Sequence, residues 1–335
     1  MANKFSDKLK DEIWILADDR VGTFSQSIGL AEEMKLEYRI ITLNYSFLAT
    51  LPNCILGQSF FRLDFGSRKK IKELNYLPKI IISAGRKSAP IALYLKKLSG
   101  KRSKVIQIMN PNLNFEKFDF VILPEHDKVN PTKFPNLINT IGSLTKINDQ
   151  NIQAECEKFS PWFQNIEKTK IALFIGGSSK KTEFDEKSAE KLAHLVSRIA
   201  RNMNATLLIT NSRRTGDELS KKIESNLNCD FKFFDCKNQN NPYLAIIGYA
   251  DFFIVSGDSV SMISECASTG KPLYIFDEKN ISSAKHHNFH QSLYHNNYAK
   301  KLTKNSEILD KFSAAKLQES KRVAEIIMRQ IFDNS

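Results

Sequence analysis

Short apolar runs alternate with longer amphipathic segments along the whole chain. In the first half, apolar runs occupy residues 13–17, 38–43, 80–83, 105–109 and 120–123. Runs of this length between helical segments are typical of parallel strands that are buried on both faces. The first half therefore predicts a parallel sheet covered by helices, among them one that Ser25 would cap and another over residues 88–98.

The second half restarts the same rhythm. Strands are predicted at 171–177, 205–210, 230–235, 252–257 and 272–277, with helices at 185–201, 215–226, 241–251 and 259–270 between them. A polar stretch at 148–170 separates the two halves. We therefore expect an α/β protein of two doubly wound domains, at residues 1–150 and 165–315, followed by a closing helix at 316–335. Ligands of such sheets bind outside the carboxyl ends of the strands, so a cleft between the domains is the expected site.

The composition fits a globular chain with two cores. Of the 335 residues, 41% are hydrophobic and 26% are charged, which excludes a mainly disordered chain and a disulfide-stapled miniprotein. No apolar run approaches the ~18 residues of a membrane-spanning helix, and the first residues lack a signal-peptide pattern, so a cytoplasmic location is expected. Five cysteines without a CxxC pair predict reduced thiols.

Basic residues outnumber acidic ones by 49 to 37, a formal net charge of +12. This surplus favours anionic partners such as nucleotides and anionic lipid, and no recognisable nucleic-acid-binding motif accompanies it. The segment 59–72 interleaves aromatic and basic residues, namely Phe60, Phe61, Phe65, Arg62, Arg68, Lys69 and Lys70. It would suit the anionic cytoplasmic face of an inner membrane, where each charge contributes about 1 kcal/mol. The alternative is a solvated basic loop anchored by its phenylalanines.

Three strand ends in the second half carry groups suited to a nucleoside diphosphate. These groups are Gly176, Gly177 and Ser178; Ser212, Arg213 and Arg214; and Asp258, Ser259, Met262 and Glu265. Glycines let a backbone approach phosphate closely, and exposed N–H groups and guanidinium forks bind its oxygens. A glutamate in the second turn of a helix can accept both hydroxyls of a ribose. The structural alternatives are a tight turn, solvated charge, an N-cap at Asp258 and core packing of Met262.

Asn241 and Tyr243 precede the last of these strands and would shape the same pocket, with Asn241 as a helix N-cap and Pro242 at the first helical position. His286 and His290 have the i, i+4 spacing of metal ligands on a helix, but no third acidic ligand is placed beside them. We therefore expect no metal and no cofactor, and a nucleotide-diphosphate sugar as the substrate.

Strand ends in the first half carry candidates for the acceptor side. These are Gly22 and Gln26 after the first strand, Gly85 and Arg86 before a helix, and Glu125, His126 and Asp127 after a third strand. Gly22 would allow a tight turn and Gln26 would point into the cleft. Carboxylates and imidazole can accept the proton of a hydroxyl, so the 125–127 loop and Asp19 are the candidate general bases. A purely structural loop is the alternative.

Several motifs occur in order across nearly the whole chain, namely DDRVG, SAGRKSAP, PEHD, IGGSSK, TNSRRTG, NPY and GDSVSMISECASTGKP. In these motifs the chain resembles the mitochondrial-fission "elongated mitochondria" family, which is itself similar to GT-B glycosyltransferases. The resemblance implies two Rossmann-like domains, with a nucleotide sugar held by the second. It implies a donor role for Gly177, Ser178, Arg213, Ser259 and Glu265, and it places Glu125 and His126 toward the acceptor.

The chain departs from the family at its first turn. The family commonly has Gly-His there, whereas this chain reads Gly22-Thr23. A catalytic base would then have to come from Asp18, Asp19 or the 125–127 loop. We therefore keep three hypotheses: a metal-independent glycosyltransferase with an envelope or lipid-linked acceptor, a non-catalytic adaptor that recruits a membrane-remodelling partner, and a sugar-nucleotide epimerase.

Overall fold

The structure is a computed structural model, and it describes residues 9–17, 21–53, 58–179 and 182–333. The chain divides into two compact units. The N-terminal unit comprises Met1–Lys146 together with Glu319–Ser335, and the C-terminal unit comprises Ile147–Gln318. The end of the chain thus belongs to the N-terminal unit.

A parallel sheet of six strands forms the centre of the N-terminal unit. The strands are β1 (Leu9–Ala17), β2 (Tyr38–Thr42), β3 (Leu77–Ala84), β4 (Lys104–Ile108), β5 (Phe120–Pro124) and β6 (Leu137–Thr140). They lie in the order β2-β1-β3-β4-β5-β6. The helices of this unit are α1 (Val21–Glu33), α2 (Phe65–Glu73), α3 (Gly85–Leu98) and the C-terminal helix (Glu319–Met328).

Both faces of this sheet are apolar because helices cover both of them. Successive residues of a strand point to opposite faces. Accordingly Trp14 packs in one core cluster with residues of α2 and α3, whereas Ile13 and Ile15 pack in another with α1 and the C-terminal helix. A strand that is buried on both faces reads as a continuous apolar run, as residues 13–17 do.

The C-terminal unit repeats this architecture with a second parallel sheet of six strands. The strands are β7 (Thr169–Ile175), β8 (Ala205–Asn211), β9 (Phe231–Phe234), β10 (Phe252–Ser256), β11 (Leu273–Phe276) and β12 (Lys300–Leu302). The helices are α4 (Asp149–Lys158), α5 (Ser160–Phe163), α6 (Glu186–Asn202), α7 (Gly216–Ser225), α8 (Tyr243–Tyr249), α9 (Val260–Ala267) and α10 (Ala284–His295).

The strand order of the second sheet, β12-β11-β10-β7-β8-β9, reverses direction between β7 and β10. β7 therefore has β8 on one side and β10 on the other, and all three strands point the same way. Ligands of open α/β sheets bind outside the carboxyl ends of the strands at such a reversal. The architecture thus directs attention to the residues that follow β7, β8 and β10.

Several predicted boundaries differ from the structure. Helix α1 already begins at Val21, so Gly22 lies in its first turn instead of a tight turn and Ser25 is not its cap. Helix α3 begins at Gly85, three residues before the predicted start, because the positive φ of Gly85 (75°) turns the chain directly from strand to helix. Segment 59–72, for which a solvated loop was the alternative to a membrane-facing segment, contains α2, and Asp64 caps this helix by accepting from the Ser67 N–H.

Two findings concern the chain as a whole. Among the described residues, no helix combines the length and the apolar character needed to cross a bilayer. Cys156, Cys229, Cys236 and Cys266 are free thiols, and Cys54 lies outside the described residues. Burial, and next the charge of Glu265, raises the pKa of the Cys266 thiol well above its usual range, so this thiol stays protonated.

We predict that Gly29→Ala destabilises the N-terminal unit by about 2 kcal/mol or more, because overpacked sites without free space must shift the backbone. A Cβ atom at Gly29 would lie 2.1 Å from the carbonyl oxygen of Thr145. Urea unfolding followed by circular dichroism measures the change. The matched control is Gly66→Ala in α2, where the nearest atom is 3.8 Å away. It should change stability by less than about 1 kcal/mol, and equal losses for both variants would contradict the packing argument.

Candidate functional site

The ends of β7 and β10 are joined by hydrogen bonds. The N–H of Gly176 donates to Ser256 Oγ at 2.7 Å, and the N–H of Gly177 donates to Asp258 Oδ2 at 2.8 Å. Ser256 Oγ in turn donates to Asp258 Oδ1 at 2.7 Å. The two loops at the reversal of the strand order therefore form one connected edge.

The end of β8 joins the same edge through Arg214 and Thr215. The guanidinium of Arg214 donates to the carbonyl of Gly177 and to Asp258 Oδ2, at 2.9 Å in each case. The hydroxyl of Thr215 donates to the carbonyl of Ile175 at 3.1 Å and also contacts the carbonyl of Gly176. The structure thus brings together the three strand ends that the sequence analysis singled out.

The two glycines after β7 are required by close packing. A Cβ atom on Gly176 would lie 2.1 Å from Asp258 Oδ2, and one on Gly177 would lie 2.2 Å from the carbonyl carbon of Arg214. Their N–H groups, which we expected to be exposed to a phosphate, are instead used within the protein. The next two residues, Ser178 and Ser179, are exposed, and the hydroxyl of Ser178 accepts from the N–H of Phe184 at 2.9 Å.

Asp258 is a buried structural carboxylate, since only 1% of its side chain is exposed. It bonds to the neighbouring strand ends and does not act as the N-cap of α9. Ser259 occupies the N-cap position but its side chain makes no capping bond. Within the described ranges, therefore, no side chain caps α9, and its first N–H groups remain available to an anion.

The two adjacent arginines have different environments. Arg214 is bonded to the protein as described above, while Arg213 is exposed and forms no ion pair with any described residue. Ser212 is half-buried and holds the turn together, because its N–H donates to Thr215 Oγ1 at 2.9 Å. Arg213 is consequently the guanidinium at this edge that is available for a ligand.

Glu265, in the second turn of α9, is held by Tyr243 at the start of α8. The Tyr243 hydroxyl donates to Glu265 Oε2 in a short contact. Burial, and next the charge of Glu265, raises the pKa of Tyr243 well above its usual value. The tyrosine therefore stays a hydrogen-bond donor and fixes the orientation of the carboxylate. Met262 lies half-buried on the same helix.

Asn241 does not cap α8 as predicted, because that helix begins at Tyr243 with Pro242 at its N-cap position. The amide of Asn241 instead donates to Thr210 Oγ1 at 3.0 Å and to the carbonyl oxygens of Phe234 and Asp235, at 3.1 and 3.0 Å. Asn241 thus braces the carboxyl ends of β8 and β9, which is a structural role.

The sequence analysis missed a buried polar cluster next to Gly257, on the same loop as Asp258. The Nδ1 atoms of His287 and His290 both lie 3.3 Å from Asp277 Oδ2, and His290 is fully buried. A Cβ atom on Gly257 would lie 2.6 Å from Ser282 Oγ and 2.9 Å from His290 Cε1. The cluster therefore packs directly against the loop that carries Asp258.

Burial opposes the charge of Asp277, but the polar neighbours His290, Ser282 and His287 outweigh it and hold the pKa of this carboxyl far below its usual range. The three histidines in AKHHNFH were the signal in the sequence. They serve different purposes, since His286 completes the capping box of α10 with Ser283. The side-chain hydroxyl of Tyr294 is also buried here.

The first-half candidates are spread over separate strand ends of the N-terminal unit. Glu125, His126 and Asp127 form one 3-10 turn after β5, with Glu125 exposed and the other two half-buried. Asp19 lies outside the described residues. Gln26 is buried, and its amide contacts the carbonyl of Gly22 and the sulfur of Met109. We expected Gln26 to point into the cleft, whereas its side chain makes these contacts within its own unit.

These two Rossmann-like units define the GT-B class of fold, which confirms the fold expected from the sequence. A UDP-GlcNAc 2-epimerase from Methanocaldococcus jannaschii superposes with a TM-score of 0.54 at 11% identity, covering 95% of this chain and 99% of that chain. A UDP-GlcNAc 2-epimerase from Neisseria meningitidis bound to UDP-GlcNAc superposes with a TM-score of 0.51 at 10% identity, covering 96% and 92%. At such identities the likeness establishes the fold.

The sequence profile of the family described as "Mitochondrial fission ELM1" matches residues 21–331, and the chain belongs to this family. An uncharacterised protein, RP120, of Rickettsia prowazekii (strain Madrid E) is 34% identical over 94% of this chain and 97% of its own length. The mitochondrial fission protein ELM1 of Arabidopsis thaliana is 27% identical over 59% of this chain and 51% of its own length. The resemblance stated from the motifs is thus confirmed.

We predict that Asp277→Asn lowers stability at neutral pH by about 1–3 kcal/mol, because it removes a charge that buried partners stabilise. A carboxyl whose pKa is lowered by folding stabilises the protein above the unfolded value of about 3.9 and loses this contribution as the pH falls below it. The stability gap between the two proteins should therefore begin to narrow below about pH 4 and close only as the pH approaches the much lower pKa of the folded carboxyl. Thermal unfolding between neutral pH and the acid range measures this.

The control for this prediction is Glu224→Gln, which removes an exposed carboxylate from α7. This substitution should change neither the stability at neutral pH nor the way stability falls with pH. A constant gap between wild type and Asp277→Asn over the whole range would contradict a role for the charge.

Proposed function

We propose that the C-terminal unit binds a nucleotide-diphosphate sugar, and that the protein transfers the sugar to an acceptor associated with a membrane or envelope. The observation that carries this proposal is the convergence of the loops after β7, β8 and β10 at the reversal of the strand order. Doubly wound α/β folds bind nucleotides at such a reversal. Two proteins of similar fold have names that include UDP-GlcNAc, and this supports the choice of ligand class.

Three groups at this edge would recognise the nucleotide. Exposed Arg213 and the uncapped N-terminus of α9 would bind the diphosphate, whose charge grows as it leaves the sugar. Glu265, oriented by Tyr243, would accept the hydroxyls of the ribose. Arg214 and Asp258 would shape the pocket from beneath, because their charges are already paired with each other.

The acceptor would be deprotonated by a group on the N-terminal unit. Glu125 is exposed on the turn after β5 and suits the role of general base, with His126 and Asp127 beside it. Such chemistry needs no metal or cofactor, since the diphosphate is stabilised by guanidinium and helix N–H groups.

A second candidate is a non-catalytic adaptor that retains the nucleotide-binding edge. One observation favours it: buried Thr23 lies in α1 near the position where the family resemblance leads us to expect histidine. The histidine of the family's first turn is then missing, and a catalytic base would have to come from Asp18, Asp19 or the 125–127 turn.

We predict that Arg213→Ala weakens binding of UDP, or of whichever nucleoside diphosphate binds, by about tenfold, the usual worth of one charge-assisted contact to phosphate. The corresponding monophosphate should be affected far less. Isothermal titration calorimetry against UDP, GDP, ADP and their monophosphates gives both values. The control Lys221→Ala removes an exposed charge from α7 and should leave all affinities unchanged. Failure of every nucleoside diphosphate and its sugar to bind the wild type would overturn the proposal.

We predict that Glu265→Gln lowers affinity for the ribonucleotide by about tenfold but leaves the 2′,3′-dideoxy nucleotide unaffected, because only the ribose offers hydroxyl donors to the carboxylate. A similar loss for both nucleotides would mean that Glu265 acts through the fold.

Cells that carry Arg213→Ala and Glu265→Gln together distinguish the glycosyltransferase from the adaptor. An enzyme loses its cellular function with nucleotide binding, whereas an adaptor keeps it.

A further inference from the structure

The N-terminal unit contains a cavity of about 400 Å³ beside the N-terminus of α3. This volume falls within the range of roughly 300–1,000 Å³ that small-molecule sites occupy. The cavity is lined by Leu43, Asn44, Tyr45, Ser46, Ala49, Thr50, Arg86 and Lys87. Its walls are therefore the loop after β2 and the first turn of α3, at the carboxyl end of the first sheet.

The charge of this cavity is positive. Arg86 and Lys87 line it, and no acidic residue is among the lining residues given above. The guanidinium of Arg86 donates to the carbonyl oxygens of Leu51 and Ala49, at 3.1 and 3.4 Å, and forms no ion pair with a described residue. The described lining of this cavity thus holds two cations and no carboxylate, with the Lys87 Nζ 5.0 Å from the centre of the Tyr45 ring. A lining of this charge favours an anion.

A third cation lies behind the wall. Arg62 is fully buried, and its guanidinium donates to Asn53 Oδ1 at 2.8 Å and to the carbonyl of Lys87 at 3.3 Å. Its Nε has no hydrogen-bond partner, and none of its described contacts is a carboxylate. Because no described carboxylate offsets the charge of this buried guanidinium, an anion bound in the adjoining cavity would reduce the cost of burying it.

The helix that borders the cavity adds to this field. Helix α3 has 14 residues, and Ala84 at its N-cap position supplies no side-chain cap. Its first N–H groups, at the residues that include Arg86 and Lys87, thus lack an intrahelical partner and carry a partial positive charge.

Exposed phenylalanines lie on the loop that forms the cavity wall and on the segment that pairs with this loop. Phe47 lies between lining residues and is 83% exposed. The segments 44–46 and 62–64 pair side by side, with the N–H of Ser46 donating to the carbonyl of Arg62 at 2.8 Å, so Phe61 emerges beside Phe47. Phe65 opens α2 and is also 83% exposed. We name Phe47, Phe61 and Phe65 the aromatic patch.

The aromatic patch is accompanied by basic side chains. Arg68, one turn after Phe65, lies over the Phe61 ring at 5.7 Å, and Lys69 and Lys70 are exposed on the same helix. Exposed aromatic rings beside cations are suited to the interface of an anionic bilayer. Arg62, which we expected to face a membrane surface or, in the alternative, solvent, is instead buried beneath this surface.

We propose that the cavity binds the phosphate group of a membrane amphiphile, with its apolar chain lying against the aromatic patch. Arg86, Lys87 and the N–H groups of α3 would bind the phosphate oxygens, and Phe47 would contact the chain. This inference rests on the proposed function, because such an amphiphile is the membrane-associated acceptor or its anchor.

The test is calorimetric titration of the full-length protein with hexyl phosphate below its micelle concentration, alongside hexyl glucoside and inorganic phosphate. We expect hexyl phosphate to bind at least tenfold more tightly than either, because it alone offers both the anion and the chain. Lys87→Gln should weaken hexyl phosphate binding about tenfold, the usual worth of one charge-assisted contact, while Lys87→Arg should retain it. The control Lys70→Gln removes an equal charge outside the cavity and should have no effect.

Phe47→Ser should lower the affinity for hexyl phosphate and leave that for inorganic phosphate unchanged, and it should weaken sedimentation with phosphatidylcholine vesicles that contain phosphatidic acid. Equal losses for Lys87→Gln and Lys70→Gln, or equal binding of inorganic and hexyl phosphate, would overturn the proposal. Titrating the same samples with UDP tests the proposed function separately. A failure of UDP to bind would count against the nucleotide site of the C-terminal unit and would not change the hexyl phosphate result.

Discussion

The buried carboxylate of Asp258 is the constraint on which the C-terminal edge depends. It receives donors from all three strand ends, namely the Ser256 hydroxyl, the Gly177 N–H and the Arg214 guanidinium. A carboxylate that is almost completely buried is costly unless its hydrogen bonds are satisfied. Moving any of the three loops away would therefore expose a charge or leave it buried without a partner. The shape of this edge is thus set before any ligand arrives.

This constraint also explains the glycines and the small polar residues around it. Gly176 and Gly177 admit the Asp258 carboxylate and the Arg214 backbone at distances that a side chain would forbid. The Thr215 hydroxyl donates to the carbonyl of Ile175 at the end of β7. Residues that looked like ligands of a phosphate when read singly are the means by which three loops approach one another.

The sequence predicts most of the fold, because strands such as residues 13–17 and 171–175 are buried on both faces and read as unbroken apolar runs. Helix boundaries are less predictable where backbone conformation decides them, as at Gly85, or where a polar residue has a distant partner. Asn241 has the local signature of a cap, yet its partners at Thr210 and Phe234 lie in other strands.

The candidate site shows the same division. The meeting of three strand ends follows from parallel topology and could be predicted, whereas the choice of partners within that edge could not. The pairing of Asp277 with His290 joins the end of β11 to α10, and no spacing in the sequence reveals it. Likewise the 83% exposure of Phe47 depends on how the 44–46 and 62–64 segments pair.

The charges at the C-terminal edge limit what it can bind. Asp258 and Arg214 neutralise each other, which leaves Arg213 and the partial charge at the α9 N-terminus to attract an anion. One guanidinium and one helix end suit a single diphosphate better than a long polyanion, which would need a row of unpaired cations. In the function proposed above, Glu265 at the same edge would accept hydroxyl donors next to the phosphates, which is why the proposed ligand is a nucleoside diphosphate with an intact ribose.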